Sequence, residues 1–206
     1  MTLFPFFMDI SGKEGLIIGG GKHALEKVQR LMPYGPELKV IAEGFRQELK
    51  EIDGIRLVDR SFEERDLDSL PAFVIVAGDD PEENHRISAL CRERRIPVNV
   101  VDDQAYCDFI FPSLIARGNL SVGICTNGAS PSTGVLLKRK MEAQIPDHME
   151  EILDYLQEKR PEISSRFLDK KKRFAFYYAL SERCMELDRP LTEAEFEDLV
   201  KTKEEW

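Results

Sequence analysis

Cysteine, histidine and tryptophan are scarce in this 206-residue chain: four, three and one of them, respectively. The cysteines, Cys91, Cys107, Cys125 and Cys184, stand far apart and form no C-x-x-C pair, which leaves a zinc ribbon or thiol redox motif without its spacing. They read as small apolar side chains in a reducing compartment. His23, His85 and His148 are equally scattered and do not make a metal site. No apolar run approaches the ~20 residues that span a bilayer. Met1–Ile10 is apolar but lacks the basic start and small-residue cleavage site of a secretory leader, so it reads as a strand. The chain is accordingly expected to be cytoplasmic, with no membrane partner. Basic residues are in deficit as well: 29 Lys and Arg face 38 Asp and Glu, a formal net charge of −9. That balance argues against a nucleic-acid partner, because a phosphate backbone demands a basic footprint. A polyanionic ligand would need a local basic patch against the overall field.

What is present is an ordinary globular balance, with 42% hydrophobic and 33% charged residues, which excludes disorder of the whole chain. Through the first hundred residues short apolar runs alternate with helix-like segments. Leu16–Ile18, Leu38–Ala42, Ile55–Val58, Ala72–Ala77 and Pro97–Val101 read as strands, and Ala24–Leu31 and Pro81–Arg94 as helices. This alternation predicts the α/β class: a parallel sheet with helices on both faces. The fully apolar Phe73–Val76 fits a strand buried on both sides. Phe109–Leu114 and Leu120–Cys125 are further strand candidates, and Ser130 with Pro131 looks like the N-cap and N1 pair of a helix reaching Glu142. From Ile145 the pattern is helical. Met149, Ile152, Leu153 and Leu156 keep the i, i+3, i+4, i+7 spacing. Thr192 and Glu195 form a capping box ahead of Phe196, Leu199 and Val200, and Lys201–Trp206 reads as a fraying tail. Boundaries near Phe111 and Pro146 divide the chain into residues 1–112, 113–145 and 146–206.

Gly19-Gly20-Gly21-Lys22-His23-Ala24 fits G-x-G-x-x-A between an apolar strand and an amphipathic helix. In a dinucleotide-binding loop Gly19 permits the tight turn, Gly21 lets the backbone approach a pyrophosphate, and Ala24 allows the helix to lie close to the strand. The helix N-terminus adds free N–H groups and a positive dipole end. Glu43, about twenty residues on, stands where an acid binds the adenosine ribose and repels a 2′-phosphate, which favours NAD over NADP; a solvent-exposed loop acid is the competing reading. Ala77-Gly78-Asp79-Asp80 and Asp102-Asp103 follow strands and should face the same ligand. Asp79 or Asp80 suits a helix cap. Asp102 ends a buried strand, and on these grounds alone it is as consistent with a catalytic group as with a structural one. Arg117 and Lys138-Arg139-Lys140 offer positive charge that would meet carboxylates, or else a solvated helix face.

Taken together, these residues resemble a family. Gly19-Gly20-Gly21 with Ala24 and Lys27, Ala77-x-Asp79-Asp80 with Asn84, and Asn99-Val100-Val101-Asp102 occur in order. Phe109-x-Phe111-Pro112-Ser113 and Asn127-Gly128-x-Ser130-Pro131 follow. The series is similar to the precorrin-2 dehydrogenase / sirohydrochlorin ferrochelatase family, including the N-terminal part of siroheme synthases, over about Leu3–Pro146. The resemblance implies a Rossmann-type NAD-binding domain over 1–112, a dimerisation segment over 113–145 intertwined with a second copy, and a helical C-terminal domain over 146–206. It implies oxidation of precorrin-2 to sirohydrochlorin with reduction of NAD, and in some members insertion of ferrous iron (Fe2+) at the same site. Lys22, His23, Glu43 and Gly44 fall where the family touches NAD. Asp102 aligns with its key aspartate, a general base or transient metal-handling group. Thr126 stands where some relatives carry a substrate-contacting serine, next to Asn127. The substrate's carboxylates would need cations, for which Arg117, Lys138 and Arg139 are the candidates. Two departures stand out: Lys22-His23 replaces the usual variable residue with Val, and Thr126 adds a methyl. The rival from another class is a non-catalytic NAD-sensing or dimerisation module, which would need no tetrapyrrole cavity.

Overall fold

The computed structural model describes residues 3–204, which fall into two compact units, with the chain dividing between Ile110 and Phe111. The first unit is a five-stranded parallel sheet: β1 (Glu14–Ile18), β2 (Glu37–Ala42), β3 (Ile55–Asp59), β4 (Phe73–Val76) and β5 (Val98–Val100). Their order is β3-β2-β1-β4-β5. In this register Ile17 lies beside Val40 on one side and Ile75 on the other. Helix α1 (Lys22–Leu31) connects β1 to β2 and α3 (Pro81–Glu93) connects β4 to β5. The sheet extends in opposite directions from β1 and β4, so right-handed crossovers place these two helices on opposite faces. Each presents an apolar side inward: Ala24 and Val28 on α1, Ile87 and Cys91 on α3. β4 is buried along its whole length, as its unbroken apolar run requires.

The β2–β3 link holds only the single turn α2 (Gln47–Lys50), and the β3–β4 link a short 3₁₀ turn, Glu64–Leu67. The second of these is fixed by charge rather than by a helix. Asp66 is buried at the end of that turn and accepts from Lys39 of β2 at 2.9 Å and from both Arg60 amines at 2.8 and 2.7 Å. The Glu63 amide completes the set at 3.0 Å. Burial pushes the Asp66 carboxyl up, but the bonds from Arg60, Lys39 and the Glu63 amide outweigh it and hold the group well below the usual carboxylate range.

The second unit contains an antiparallel hairpin, β6 (Ser113–Arg117) with β7 (Leu120–Ile124), and then helix α4 (Pro131–Glu142). Ser130 caps α4 by accepting from the Thr133 amide, with Pro131 at N1, as the sequence predicted. Helices α5 (Met149–Glu158), α6 (Arg160–Arg166), α7 (Lys170–Leu187) and α8 (Glu193–Glu204) follow. They close around Ile152, Ile163, Phe176, Leu180, Phe196 and Val200. Phe176 stacks on Phe167 at 4.6 Å and meets Phe196 edge-on at 5.8 Å. The Thr192–Glu195 capping box is present, and Arg189 grips the same Glu195.

Two sequence expectations change. Residues 3–10 are not a strand, and Phe4, Phe6 and Phe7 are exposed. Pro5 removes a ladder donor, and both edges of β1 are already taken by β2 and β4. The hairpin's first strand starts at Ser113, not Phe109, because the backbone carbonyl of Phe109 is held by Asn99 of β5. α8 continues to Glu204, past the start of the tail expected to fray; the end of that tail, and the first two residues of the expected strand, lie outside the described residues. All four cysteines are free thiols, and no helix among the described residues is long and apolar enough to cross a membrane.

Asp66→Asn should cost about 2 kcal/mol, because two cations lose a buried partner. The folded-state pKa of Asp66 is depressed, so its contribution is complete above the unfolded carboxyl pKa of about 4 and is lost as pH falls below it. Urea unfolding at pH 7 and pH 3 should show a smaller pH-dependent loss in Asp66→Asn than in the parent. An equal loss would assign the acid sensitivity to other carboxylates.

Candidate functional site

β1 and β4 are neighbours in the sheet but not in sequence, so the connections leaving them diverge and open a crevice at their carboxyl ends. The glycine loop forms the β1 side. Gly19 has φ +121 and donates its N–H to Ile41 at 2.9 Å; a Cβ there would lie 2.4 Å from the Ala77 carbonyl oxygen. Gly20 is equally constrained, because its Cβ would fall 2.1 Å from the carbonyl oxygen of Gly44. Its own carbonyl accepts from the Arg46 amide at 3.0 Å. The motif counts position 20 as free, and only the presence of a glycine between the two motif glycines hints that it is not.

Gly21 is different in kind. It is the extended N-cap of α1, no side chain caps the helix, and nothing lies within 4 Å of where its Cβ would be. The first N–H groups of α1 thus open, with the positive end of the helix dipole, onto a space that a side chain would fill. Lys22 and His23 are exposed on that first turn. A backbone cradle of this kind suits a pyrophosphate, so the residues present fit a dinucleotide.

On the β2 side Glu43 is exposed and its carboxylate accepts from the Ser61 hydroxyl. The Gly44 amide donates to Asp59, the last residue of β3, at 3.1 Å. After β4, Asp80 accepts from the amides of Glu82 and Glu83 at 3.0 and 3.4 Å and caps α3, the structural role expected of it. Asn84 is buried and returns from α3 to donate to the Gly78 carbonyl at 2.9 Å, stapling this loop.

Asp102 sits at the same edge, beyond β5, but not in the buried setting the sequence suggested. β5 ends at Val100 and the chain turns at Val101 and Asp102, with the Asp103 amide donating to Val100 at 3.3 Å. Asp102 occupies the left-handed region at φ +60 and is exposed. That conformation costs a non-glycine residue about 1 kcal/mol, least for Asp and Asn.

Within the second unit, the Thr126 hydroxyl accepts from the Ser130 amide at 3.3 Å and so braces its own loop. Asn127 is exposed at φ +50, beside the Cys125 thiol. Arg117 and Arg139 are exposed, while Lys138 lies 3.7 Å from Glu142. The grouped carboxylates of Glu162, Glu193 and Glu197 are held by Lys159 and Arg166, so they serve helix-to-helix ion pairing. A groove of about 600 Å³ opens at the opposite, amino-terminal end of the sheet, lined by residues that include Glu14, Glu37 and Arg56. Its charges are partly paired internally, as in Lys39 with Asp66, and it is remote from the glycine loop.

A family model described as putative NAD(P)-binding matches residues 6–113, just over half of the chain. The chain belongs to this NAD(P)-binding family. Its other likenesses narrow the field. The siroheme synthase of Thioalkalivibrio sulfidiphilus is 36% identical over 196 residues, covering 94% of this chain and 39% of that protein. The siroheme synthase of Ectopseudomonas mendocina is 37% identical over 180 residues, covering 86% and 38%. The chain therefore spans about two fifths of the length of these curated relatives. Among solved structures, SirC, a precorrin-2 dehydrogenase, superposes with a TM-score of 0.72 at 20% identity over 99% of this chain and 100% of its own, which shows a shared fold. The resemblance read from the motifs and the α/β fold class read from the alternation of strands and helices are borne out.

The glycine geometry separates folding from binding. Gly20→Ala should lower stability by about 1–3 kcal/mol through the clash with Gly44. Gly21→Ala should leave the thermal midpoint nearly unchanged yet weaken NAD binding roughly tenfold, ~1.4 kcal/mol. Calorimetric titration with NAD alongside thermal unfolding would check both, and a Gly21→Ala protein that binds NAD normally would refute the cradle.

Proposed function

We propose that this chain is a cytoplasmic precorrin-2 dehydrogenase that oxidises precorrin-2 to sirohydrochlorin with NAD, in the formation of siroheme. The observation that carries this reading is the joint placement, at one edge of the sheet, of a side-chain-free phosphate cradle and the exposed Asp102 turn. The likeness to siroheme synthases and to SirC supplies the substrate class.

Bound NAD would supply the hydride acceptor. The chain's residues do the rest. The amides at the start of α1, with Lys22 and His23, hold the pyrophosphate. Glu43 binds the adenosine ribose hydroxyls and disfavours a 2′-phosphate; one acceptor bond from Ser61 leaves a carboxylate with capacity for more. Gly44 keeps its amide on Asp59 and its carbonyl against Gly20, so the ribose side stays close to the cradle. Asp102 takes the proton as the macrocycle loses a hydride, so that two hydrogens leave precorrin-2 in all. Arg117, Lys138 and Arg139 are assigned to the substrate carboxylates, with Thr126 and Asn127 on the adjoining loop. Ferrous iron, where the same protein inserts it, would be handled transiently by Asp102.

We further assign residues 1–112 to cofactor binding, 113–145 to dimerisation and 146–206 to a helical C-terminal domain. Exposed Val135, Leu136, Leu137 and Met141 on α4 support a homodimer through the middle segment.

Anaerobic incubation with precorrin-2 and NAD, followed by visible absorbance and NADH formation, tests the activity. Sirohydrochlorin should appear only with NAD. A folded protein that binds NAD but gives no NAD-dependent change would favour a non-catalytic sensing module. Asp102→Ala should cut turnover about tenfold or more while sparing NAD affinity; unchanged turnover would remove Asp102 from the mechanism.

A further inference from the structure

The turn that carries Asp102 is held from outside its own segment. Asp103 is the N-cap of the 3₁₀ turn Gln104–Tyr106, a position where an aspartate ordinarily bonds the amides that follow it. Its side chain makes no such bond. Instead Oδ2 lies 2.7 Å from Nε2 of His85, which reaches across from α3. The His85 ring in turn stacks on Tyr106, with centroids 3.6 Å apart and planes within 7°. Ser88, one turn further along α3, donates to the Tyr106 carbonyl at 2.9 Å. α3 therefore grips this segment at several points: at Asp103 and Tyr106 and, through Arg92, at Ala105 and Asp108. The same α3 is anchored at its start by the Asp80 cap and by Asn84 on the Gly78 carbonyl, so one rigid element joins the loops after β4 and β5.

The sacrifice of a local cap for a longer-range bond has a clear mechanical effect. Asp102 is in the left-handed region, where an L-residue stays only if its surroundings over-determine it. The bonds around it include the Val101 amide to Val76 at 2.9 Å, the Asp103 amide to Val100, and the bridging Cys107 thiol, which meets the Val100 amide at 3.2 Å and the Asp103 carbonyl at 3.3 Å. The His85 bond adds a side-chain restraint from outside the loop that acts on the Asp103 carboxylate, directly next to Asp102.

We propose that His85 is a positioning residue: by holding Asp103 it fixes the turn that sets where the Asp102 carboxylate lies during oxidation. The catalytic half of this inference rests on the reading of Asp102 as the proton acceptor. His85 does not itself touch the reacting atoms.

The test compares His85→Ala and His85→Gln in the parent and in an Asp102→Ala background, with precorrin-2 and NAD as substrates. His85→Ala should lower kcat roughly three- to tenfold with KM for NAD and the thermal midpoint unchanged. His85→Gln, which keeps an N–H donor on a side chain of similar reach, should recover most of the loss. In the Asp102→Ala background, His85→Ala should have no further effect. Losses that multiply in the double variant, or a parallel fall in NAD affinity and thermal midpoint, would overturn the proposal in favour of a general structural role. If Asp102→Ala alone left turnover intact, the catalytic reading of Asp102 would fall instead. Hydrogen exchange at the Asp103 amide then judges the turn separately: faster exchange in His85→Ala upholds the restraint, and unchanged exchange overturns it.

Discussion

Three strand ends converge at the glycine loop because no side chain stands between them. The backbone of Gly19 lies against Ala77 beyond β4, and that of Gly20 against Gly44 beyond β2. These approaches replace what would be side-chain contact elsewhere in the sheet, and they leave α1 starting where its amides are open. The crevice, the exposed first turn of α1 and the closeness of the Glu43 loop all follow from this one constraint. Move the loop outward by the width of a methyl group and the edge of the sheet opens with it.

Much of this was legible in the sequence. Strand–turn–helix context made the glycine pattern readable, and alternating apolar runs located all five parallel strands to within a residue or two. What escaped was geometry that depends on distant partners. Gly20 counted as a variable position because its reason, Gly44, lies 24 residues further along the chain. Asp102 looked buried because apolar Val100-Val101 precede it, but the turn begins one residue before the apolar run stops. Residues 3–10 looked like a strand because composition carries no information on whether a sheet edge is free. The pairing of His85 with Asp103 gave no signal, since the two lie eighteen residues apart in the chain.

The two units solve stability by different means. In the first, buried aliphatic strands dominate, and a buried carboxylate with two cations stands in for a missing helix between β3 and β4. In the second, three aromatic rings form the centre and ion pairs such as Arg166 with Glu197 lace the helices together. The excess of acids is thus partly spent on internal pairing. The exposed cations Arg117 and Arg139 remain outside those pairs as local positive charge on an acidic chain.

The loop bearing Glu43 has a consequence for redesign. It is tied on one side by Gly44 to Asp59 and on the other by the Arg46 amide to Gly20. Both ties are made by backbone amides, so the path of the main chain does not depend on which side chain occupies position 43. On the role proposed for Glu43, an engineer who wished to exchange one nicotinamide cofactor for the other could therefore vary residue 43 and its partner Ser61 as an isolated pair. The scaffold holds this loop in place through contacts that are separate from the side chain at position 43.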